Sequence, residues 1–249
     1  MSIFIKSGRE IDAMRQAGNI VAQVLDILVK HVKPGMKTIE LDTIAGEEIK
    51  KRGAIPSFKG YRGYPANLCV SINDEIVHGI PGERTLKDGD IVSLDIGAIF
   101  KGFHGDAAIT VASGEISSQA KMLIDDTRGA LMAGIGAARY KARLGDISAA
   151  IQDYVESRGL SVVREYTGHG IGREMHEDPQ ILNFGLRGTG VVLKKGMTLA
   201  LEPMVNIGDW HTKVDSDNWT VRTADGSLSA HFEHDIAITD GEADILTVL

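Results

Sequence analysis

The stretch L-K-D-G-D-I-V-S-L-D-I-G-A-I-F-K-G-F-H-G-D-A-A-I-T, residues 86–110, reads as a β-hairpin. It carries two aspartates, Asp95 and Asp106, on strands that are otherwise apolar. A carboxylate inside a buried strand is costly to desolvate unless something neutralises it. Two that face each other repel unless a cation lies between them. A two-residue turn at Lys101-Gly102 sets Asp95 opposite Ala108 and Asp106 opposite Gly97. The carboxylates are then diagonal neighbours on one face, within reach of a shared metal. The alternative is that both acids sit at solvated strand ends, and the remainder of the chain decides between the two.

Before the hairpin, Ser7 and Glu10 form a capping box ahead of a helical pattern that reaches about Val32, where Pro34-Gly35 ends it. Thr38 caps a second helix, stopped by Gly53. A turn-rich loop follows, with Tyr61 and Tyr64 read as surface packing, then a short strand from Leu68 to Ile72. Cys69 lies in that apolar run, which favours a buried strand residue over a nucleophile. His78, between an apolar strand and a glycine, is ambiguous on its own. After the hairpin come a helix from near Ser117 and another capped by Asp146 and stopped at Gly159. Strands are expected at Val162-Val163, 191–205, 219–223 and 230–239, the last two separated by Asp225-Gly226.

The order of helix pair then strands occurs twice, and a short internal repeat accompanies it. Leu86-Lys87-Asp88-Gly89 with Leu94-Asp95 matches Leu193-Lys194-Lys195-Gly196 with Leu201-Glu202, at an offset of 107 residues. Upstream in each copy stands His-Gly-Ile, at His78 and at His169. This predicts an α+β chain of two α-β halves, about 1–115 and 116–249, related by a pseudo-twofold. Their strands join one curved, mainly antiparallel sheet with helices outside. Acids at equivalent positions then converge on the central axis. No linker separates the halves, so residues 1–249 are expected to form one domain.

The acids and histidines embedded in apolar strands or glycine-rich turns are His78, Asp95, Asp106, His169, His176, Glu202 and Glu233. Four carboxylates and one imidazole suit two divalent cations, with oxygen ligands dominating. Metals roughly 3–4 Å apart acidify a water between them enough for attack at neutral pH. His169 and His176 are seven residues apart in a turn-rich segment, not on one helix.

Five separated motifs resemble type I methionine aminopeptidases: N-L-C-V-S-I-N-D-E-I-V-H-G-I-P, S-L-D-I-G-A-I-F-K-G-F-H-G-D-A-A-I-T, T-G-H-G-I-G-R-E-M-H-E-D-P, A-L-E-P-M and H-F-E-H-D-I-A-I-T. They follow that family's order from about Lys6 to the C-terminus. The resemblance implies the pita-bread fold and release of N-terminal methionine, with a preference for a small second residue. It implies the metal ligands Asp95, Asp106, His169, Glu202 and Glu233, with Asp106 and Glu233 bridging. Asp95 then belongs chiefly to one metal, and His169 and Glu202 to the other. Glu202 shuttles a proton, His176 donates to the carbonyl oxygen and His78 contacts the scissile peptide. Family pocket positions fall on Tyr61, Tyr64, Cys69, Met175 and Trp219, surfaces suited to an unbranched thioether. Met175, Phe58 and Arg62 stand where the family more often has Phe, Cys and His, which bears on specificity. The metals expected are Co, Mn, Fe or Zn, and resemblance alone adds a monovalent cation near Asn73 and Ser229. Only 25 residues separate His176 from Glu202, too few for the helical insertion of type II enzymes. The chain also begins at its first helix, without the zinc-binding extension of eukaryotic type I forms.

Bulk composition agrees. The 249 residues are 43% hydrophobic and 24% charged, as in an ordinary globular protein. A net charge of −7 argues against a specific nucleic-acid surface. No run approaches about 18 apolar residues, so neither a membrane span nor a leader is expected. A single cysteine permits no internal disulfide and fits a reducing, cytoplasmic setting. The expected partners are nascent polypeptide N-termini, with transient ribosome contact, for a monomeric enzyme. Two alternatives compete: a prolidase or aminopeptidase P type peptidase, which carries an added N-terminal domain, and a metal-free peptide-binding module that has lost its ligands.

Overall fold

Apolar residues at helical spacing, bounded by matching end signals, produce four helices among residues 2–249, those the computed structural model describes. Helix α1 spans Gly8–His31, and the Glu10 carboxylate accepts the Ser7 N–H at 2.9 Å. It buries Met14, Val21, Val24 and Leu28. Helix α2, Thr38–Lys51, starts one position earlier than Thr38 as a cap would allow. Glu40 accepts the Lys37 N–H at 2.7 Å, while the Thr38 hydroxyl donates to Gly82 O at 3.0 Å. Five strands follow: β1 Ile55–Pro56, β2 Cys69–Ile72, β3 Glu75–Val77, β4 Asp90–Phe100 and β5 Phe103–Ser113. Helix α3, Ser118–Ala137, is capped by Ser117, whose Oγ accepts the Ala120 N–H at 3.1 Å. Helix α4, Leu144–Glu156, begins two residues before Asp146, which instead reaches back to the Arg143 N–H at 2.7 Å. Strands β6 Ser161–Val162, β7 Gly168–Gly170, β8 Glu177–Ile181, β9 Thr198–Leu201 and β10 Met204–Asn206 come next. The chain ends with β11 Thr212–Val214, β12 Val221–Thr223, β13 Ser229–His231, β14 Glu233–Ala237 and β15 Asp244–Ile245.

The hairpin β4–β5 has the expected register, with Asp95 opposite Ala108 and Gly97 opposite Asp106. Lys101 (φ 51°) and Gly102 (φ 78°) are both left-handed, the backbone a tight two-residue hairpin turn demands. Three expected strand runs are shorter than their sequence patterns. Glu202-Pro203 splits 191–205 into β9 and β10, since proline has no N–H for the ladder. Phe232 breaks 230–239, and residues 219–220 precede β12.

The main sheet runs β1-β4-β5-β14-β9-β7-β8, with β2 also on β4 and β15 on β14; every pairing is antiparallel. Its centre reads β2-β4-β5 against β14-β9-β7, so a pseudo-twofold passes between β5 and β14. The acid half of the repeat holds, since Asp95 on β4 corresponds to Glu202 at the end of β9. The histidine half does not. His169 pairs with Ala200, 107 residues after Ser93, and Ser93 pairs with Ser71. Thus Ser71 is the positional counterpart of His169, and His78 lies beyond β3. A three-letter match carried no register information.

Alternation along the central strands separates two faces. Val92, Leu94 and Ile96 pack with Val21, Leu28 and Leu41 of α1 and α2. Leu199, Leu201 and Ile236 pack with Leu123, Leu131 and Ile147 of α3 and α4. Each such fully buried side chain contributes about 1.5–3 kcal/mol. The odd-numbered Asp95 and Glu233, with even-numbered Asp106, face away from these cores.

Candidate active site

That opposite face holds a cavity of about 140 Å³. This is below the roughly 300–1,000 Å³ of drug-sized sites and suits a single residue. Asp95, Asp106, His169, Glu202 and Glu233 line it, together with His78, His176, Tyr61, Tyr64, Cys69, Met175 and Trp219. Phe58 and Arg62 complete the wall. Residues from both halves of the chain therefore meet in one place.

Asp106, His169 and Glu233 each offer a ligand atom within 4.8 Å of the others. Glu202 Oε1 lies 3.4 Å from His169 Nε2. Asp95 shares the cavity, outside that tightest group. Among the described residues, Asp95 Oδ1, Asp106 Oδ1 and Glu233 Oε1 are buried without any hydrogen-bond partner. Burial and then mutual repulsion push Asp95, Glu202 and Glu233 far above the ordinary carboxylate range, and burial raises Asp106. Orphaned oxygens in a cluster of acids fit divalent cations, which replace missing donors and cancel the repulsion. The His169 Nδ1–H donates to Gly170 O at 2.9 Å, which leaves the Nε2 lone pair on the carboxylate side.

The other two imidazoles stand at the rim. His176 stacks on Tyr61, with ring centroids 5.3 Å apart, and its Nδ1 lies 2.7 Å from the Tyr61 hydroxyl. With that hydroxyl donating, the ring proton sits on Nε2. Desolvation by the wall and then the Arg62 charge lower His176, so it is neutral at pH 7. His78 has φ 61°, and burial followed by the His176 charge lowers it to about 4. The turn bearing Met175 and His176 is tied by Glu177, which accepts the Arg173 N–H at 2.9 Å and pairs with buried Lys6. The sequence pattern predicts only turns here, yet β7 and β8 flank the segment.

Aromatic edges build the apolar wall. Tyr64 meets Trp219 at 5.1 Å and Phe58 at 6.5 Å, both edge-on. Its hydroxyl donates to Gly79 O at 3.0 Å, so the ring alone faces the cavity. Cys69 pairs with Asp95 across β2–β4, and burial and that carboxylate push its thiol up. A nucleophile needs the opposite shift.

Sequence reading missed three buried polar residues behind the cluster. Asp235 accepts the Asp106 N–H at 2.8 Å, His104 Nδ1 lies 3.0 Å from Ser57 Oγ, and neither ring nitrogen of His231 has a partner. Each is two residues from Asp106 or Glu233, with His104 and Asp235 on the same strand as the acid and His231 at the end of β13. Counting by twos from those acids would have found all three.

Residues 12–240 match the profile of metallopeptidase family M24. The chain belongs to metallopeptidase family M24. Methionine aminopeptidase 1 of Bacillus subtilis is 56% identical over 245 residues, covering 98% of this chain and 99% of that protein. The crystal structure of a methionine aminopeptidase from Thermotoga maritima superposes with a TM-score of 0.98 at 50% identity, each chain fully covered. A Xaa-Pro dipeptidase from Bacillus anthracis is more distant, with TM-score 0.79 and 25% identity, and the match spans 61% of that chain. This M24 chain has the pita-bread fold, is an enzyme of the metallopeptidase class and uses divalent metal.

Proposed function

We propose a division of labour among the residues of this cavity for the removal of N-terminal methionine. The observation that carries it is the meeting of unpartnered carboxylate oxygens, an apolar wall and two neutral imidazoles in one single-residue cavity. Asp95, Asp106, His169, Glu202 and Glu233 would hold two divalent ions, with Asp106 and Glu233 shared. Asp95 would serve chiefly one, and His169 and Glu202 the other. When bound, these ions polarise the scissile carbonyl and acidify a water. Glu202, 3.4 Å from His169 with its side chain only 15% exposed, takes a proton from the water side and passes it to the leaving amine. His176, neutral with its proton on Nε2, donates to the carbonyl oxygen as charge develops there. His78 orients the peptide. Tyr61, Tyr64, Cys69, Met175 and Trp219 receive the methionine side chain, whose flexible thioether fits an aromatic wall.

The free α-amino group is anchored on the Asp95 side, which limits cleavage to the first residue. The chain removes N-terminal methionine from proteins and peptides, and a small second residue passes the rim at Arg62 and His176. Nascent chains are the substrates we infer, met by a cytoplasmic monomer that touches the ribosome transiently. Among the described residues no helix is long and apolar enough to cross a membrane. The whole chain, 1–249, serves as one catalytic domain, with Co, Mn, Fe or Zn as metal. A monovalent cation near Asn73 and Ser229 is inferred from the family resemblance alone. The test is release of methionine from Met-Ala-Ser with Co(II) or Mn(II), beside His169→Ala. Metal-dependent release by the wild type alone is expected; none by either protein refutes the reading.

A further inference from the structure

Trp219 and His78, which meet edge-on with ring centroids 6.2 Å apart, come from a part of the fold with little support of its own. Strands β11, β12 and β3 form a separate three-stranded sheet of three residues each. Ribbons that short depend on what they pack and bond against, and here Val77 and Val221 bury one face against Val163 and Met204. The pairing is also imperfect, because the register shifts between Val221 opposite Val77 and Arg222 opposite Glu75. Trp219 lies just before β12, and His78 directly after β3.

Arg222 supplies the fastening. Its Nε donates to Asp215 at 2.6 Å, on the loop that leads to Trp219. One terminal nitrogen donates to Asp74 at 2.9 Å and the other to Glu75 at 2.7 Å, on the turn that starts β3. Glu75 is 6% exposed and also accepts the Ile72 N–H at 2.7 Å and an Arg84 nitrogen at 2.6 Å. The Trp219 end is tight as well: Asp215 N–H donates to Thr220 O, and Asp217 accepts the N–H groups of Trp219 and Thr220, all at 2.8 Å. One planar guanidinium therefore bonds both segments whose next side chains enter the cavity. A lysine, a point charge without that fork, cannot reach three acids in those directions.

We propose that Arg222, through Asp215, Asp74 and Glu75, is a positioning residue that holds Trp219 against His78 and so sets the width of the methionine pocket. The proposal rests on the substrate role given above to Trp219 and His78. Because Arg222 touches no reacting atom, its loss acts on how the side chain is held rather than on the chemical step.

The test compares Arg222→Met and Arg222→Lys with the wild type in a Trp210→Phe background, which leaves Trp219 as the only tryptophan. Arg222→Met is expected to raise KM for Met-Ala-Ser about tenfold with kcat within about threefold, the pattern of lost ground-state positioning. Discrimination between methionyl and leucyl tripeptides is expected to narrow by a similar factor, and Arg222→Lys to fall between. In the metal-free protein, Trp219 emission is expected to shift to the red and acrylamide quenching to quicken. A folded Arg222→Met with wild-type KM, discrimination and emission overturns the proposal, as does a kcat loss at unchanged KM. If Arg222→Met does not fold, Glu75→Gln is read by the same emission, and an unshifted Trp219 there also overturns it. Wild-type protein that releases no methionine refutes the site reading, while the fluorescence arm still decides on the clamp.

Discussion

Asp106→Asn is expected to move the metal-free and metal-loaded proteins in opposite directions. In the metal-free protein Asp106 is 5% exposed, and its Oδ1 has no partner. Burial raises its carboxyl from 3.8 to about 7. Its charge in turn raises Asp95 and Glu233. Between about pH 4 and 7 the folded state therefore keeps a proton that the unfolded chain has released. Stability falls as pH rises through that window, and the full deficit stands above it. At 1.36 kcal/mol per pH unit the deficit is about 4 kcal/mol, an upper figure because the acids share their repulsion. Asparagine should recover about 2–4 kcal/mol above pH 7, or roughly 5–15 °C in Tm for a chain of this length. At pH 4 the gain should vanish. The backbone bond from Asp106 N–H to Asp235 survives the change. Divalent metal should reverse the order. At a thousandfold excess over Kd it stabilises wild type by about 4.1 kcal/mol, and the variant lacking the shared oxygen should gain little. Thermal unfolding of chelator-treated protein at pH 4 and 7.5, with and without Mn(II), measures all four cases. A metal-free variant no more stable than wild type at pH 7.5 refutes the reasoning. So does an equal Mn(II) shift in both proteins.

Tyr61→Phe removes the 2.7 Å contact to His176 Nδ1 and keeps the stack. With the imidazole tautomer no longer fixed, kcat on Met-Ala-Ser should fall about tenfold at nearly constant KM, the equivalent of one hydrogen bond; an unchanged kcat removes the assigned role. Lys6→Met strands Glu177 in a buried position and should cost about 3–5 kcal/mol in urea unfolding. The double variant with Glu177→Gln should regain part of that loss, and equal stability of the two variants contradicts the pairing. Gly105→Ala would put a Cβ 2.6 Å from Gly18 N on α1 and force the helix off β5. A loss of about 1–3 kcal/mol is expected by differential scanning calorimetry, with metal stoichiometry intact.

Several features were legible because they depend on neighbours in the chain. The Lys101-Gly102 turn, the Asp95 register and the Ser7, Ser117 and Gly53 end signals each involve residues a few positions apart, where backbone sterics and local hydrogen bonds decide. The helix caps lie at Lys37 and Arg143, one residue before Thr38 and three before Asp146, because Glu40 and Asp146 act from the third helical position. Strands β7 and β8 were hidden, since G-H-G and E-D-P-Q-I lack an alternating apolar pattern and owe their shape to pairing with β9 and with each other. Five motifs spaced along the chain did mark the residues of the cavity, because metal-ligand chemistry restricts residue types so strongly.

By itself the amino-acid sequence determined the β4–β5 hairpin, the helix pairs and the set of acids and imidazoles available for chemistry. The tertiary structure decided which of them meet. It paired β5 with β14 through Glu233 opposite Ala108, it put Ser71 rather than His78 in the place equivalent to His169, and it set Asp235 behind Asp106. It also brought Arg222 to Asp74 and Glu75, about 150 residues earlier in the chain. Local pattern cannot encode such partners, because pairing over that distance is settled by which faces remain to be buried once both halves have folded against their helices.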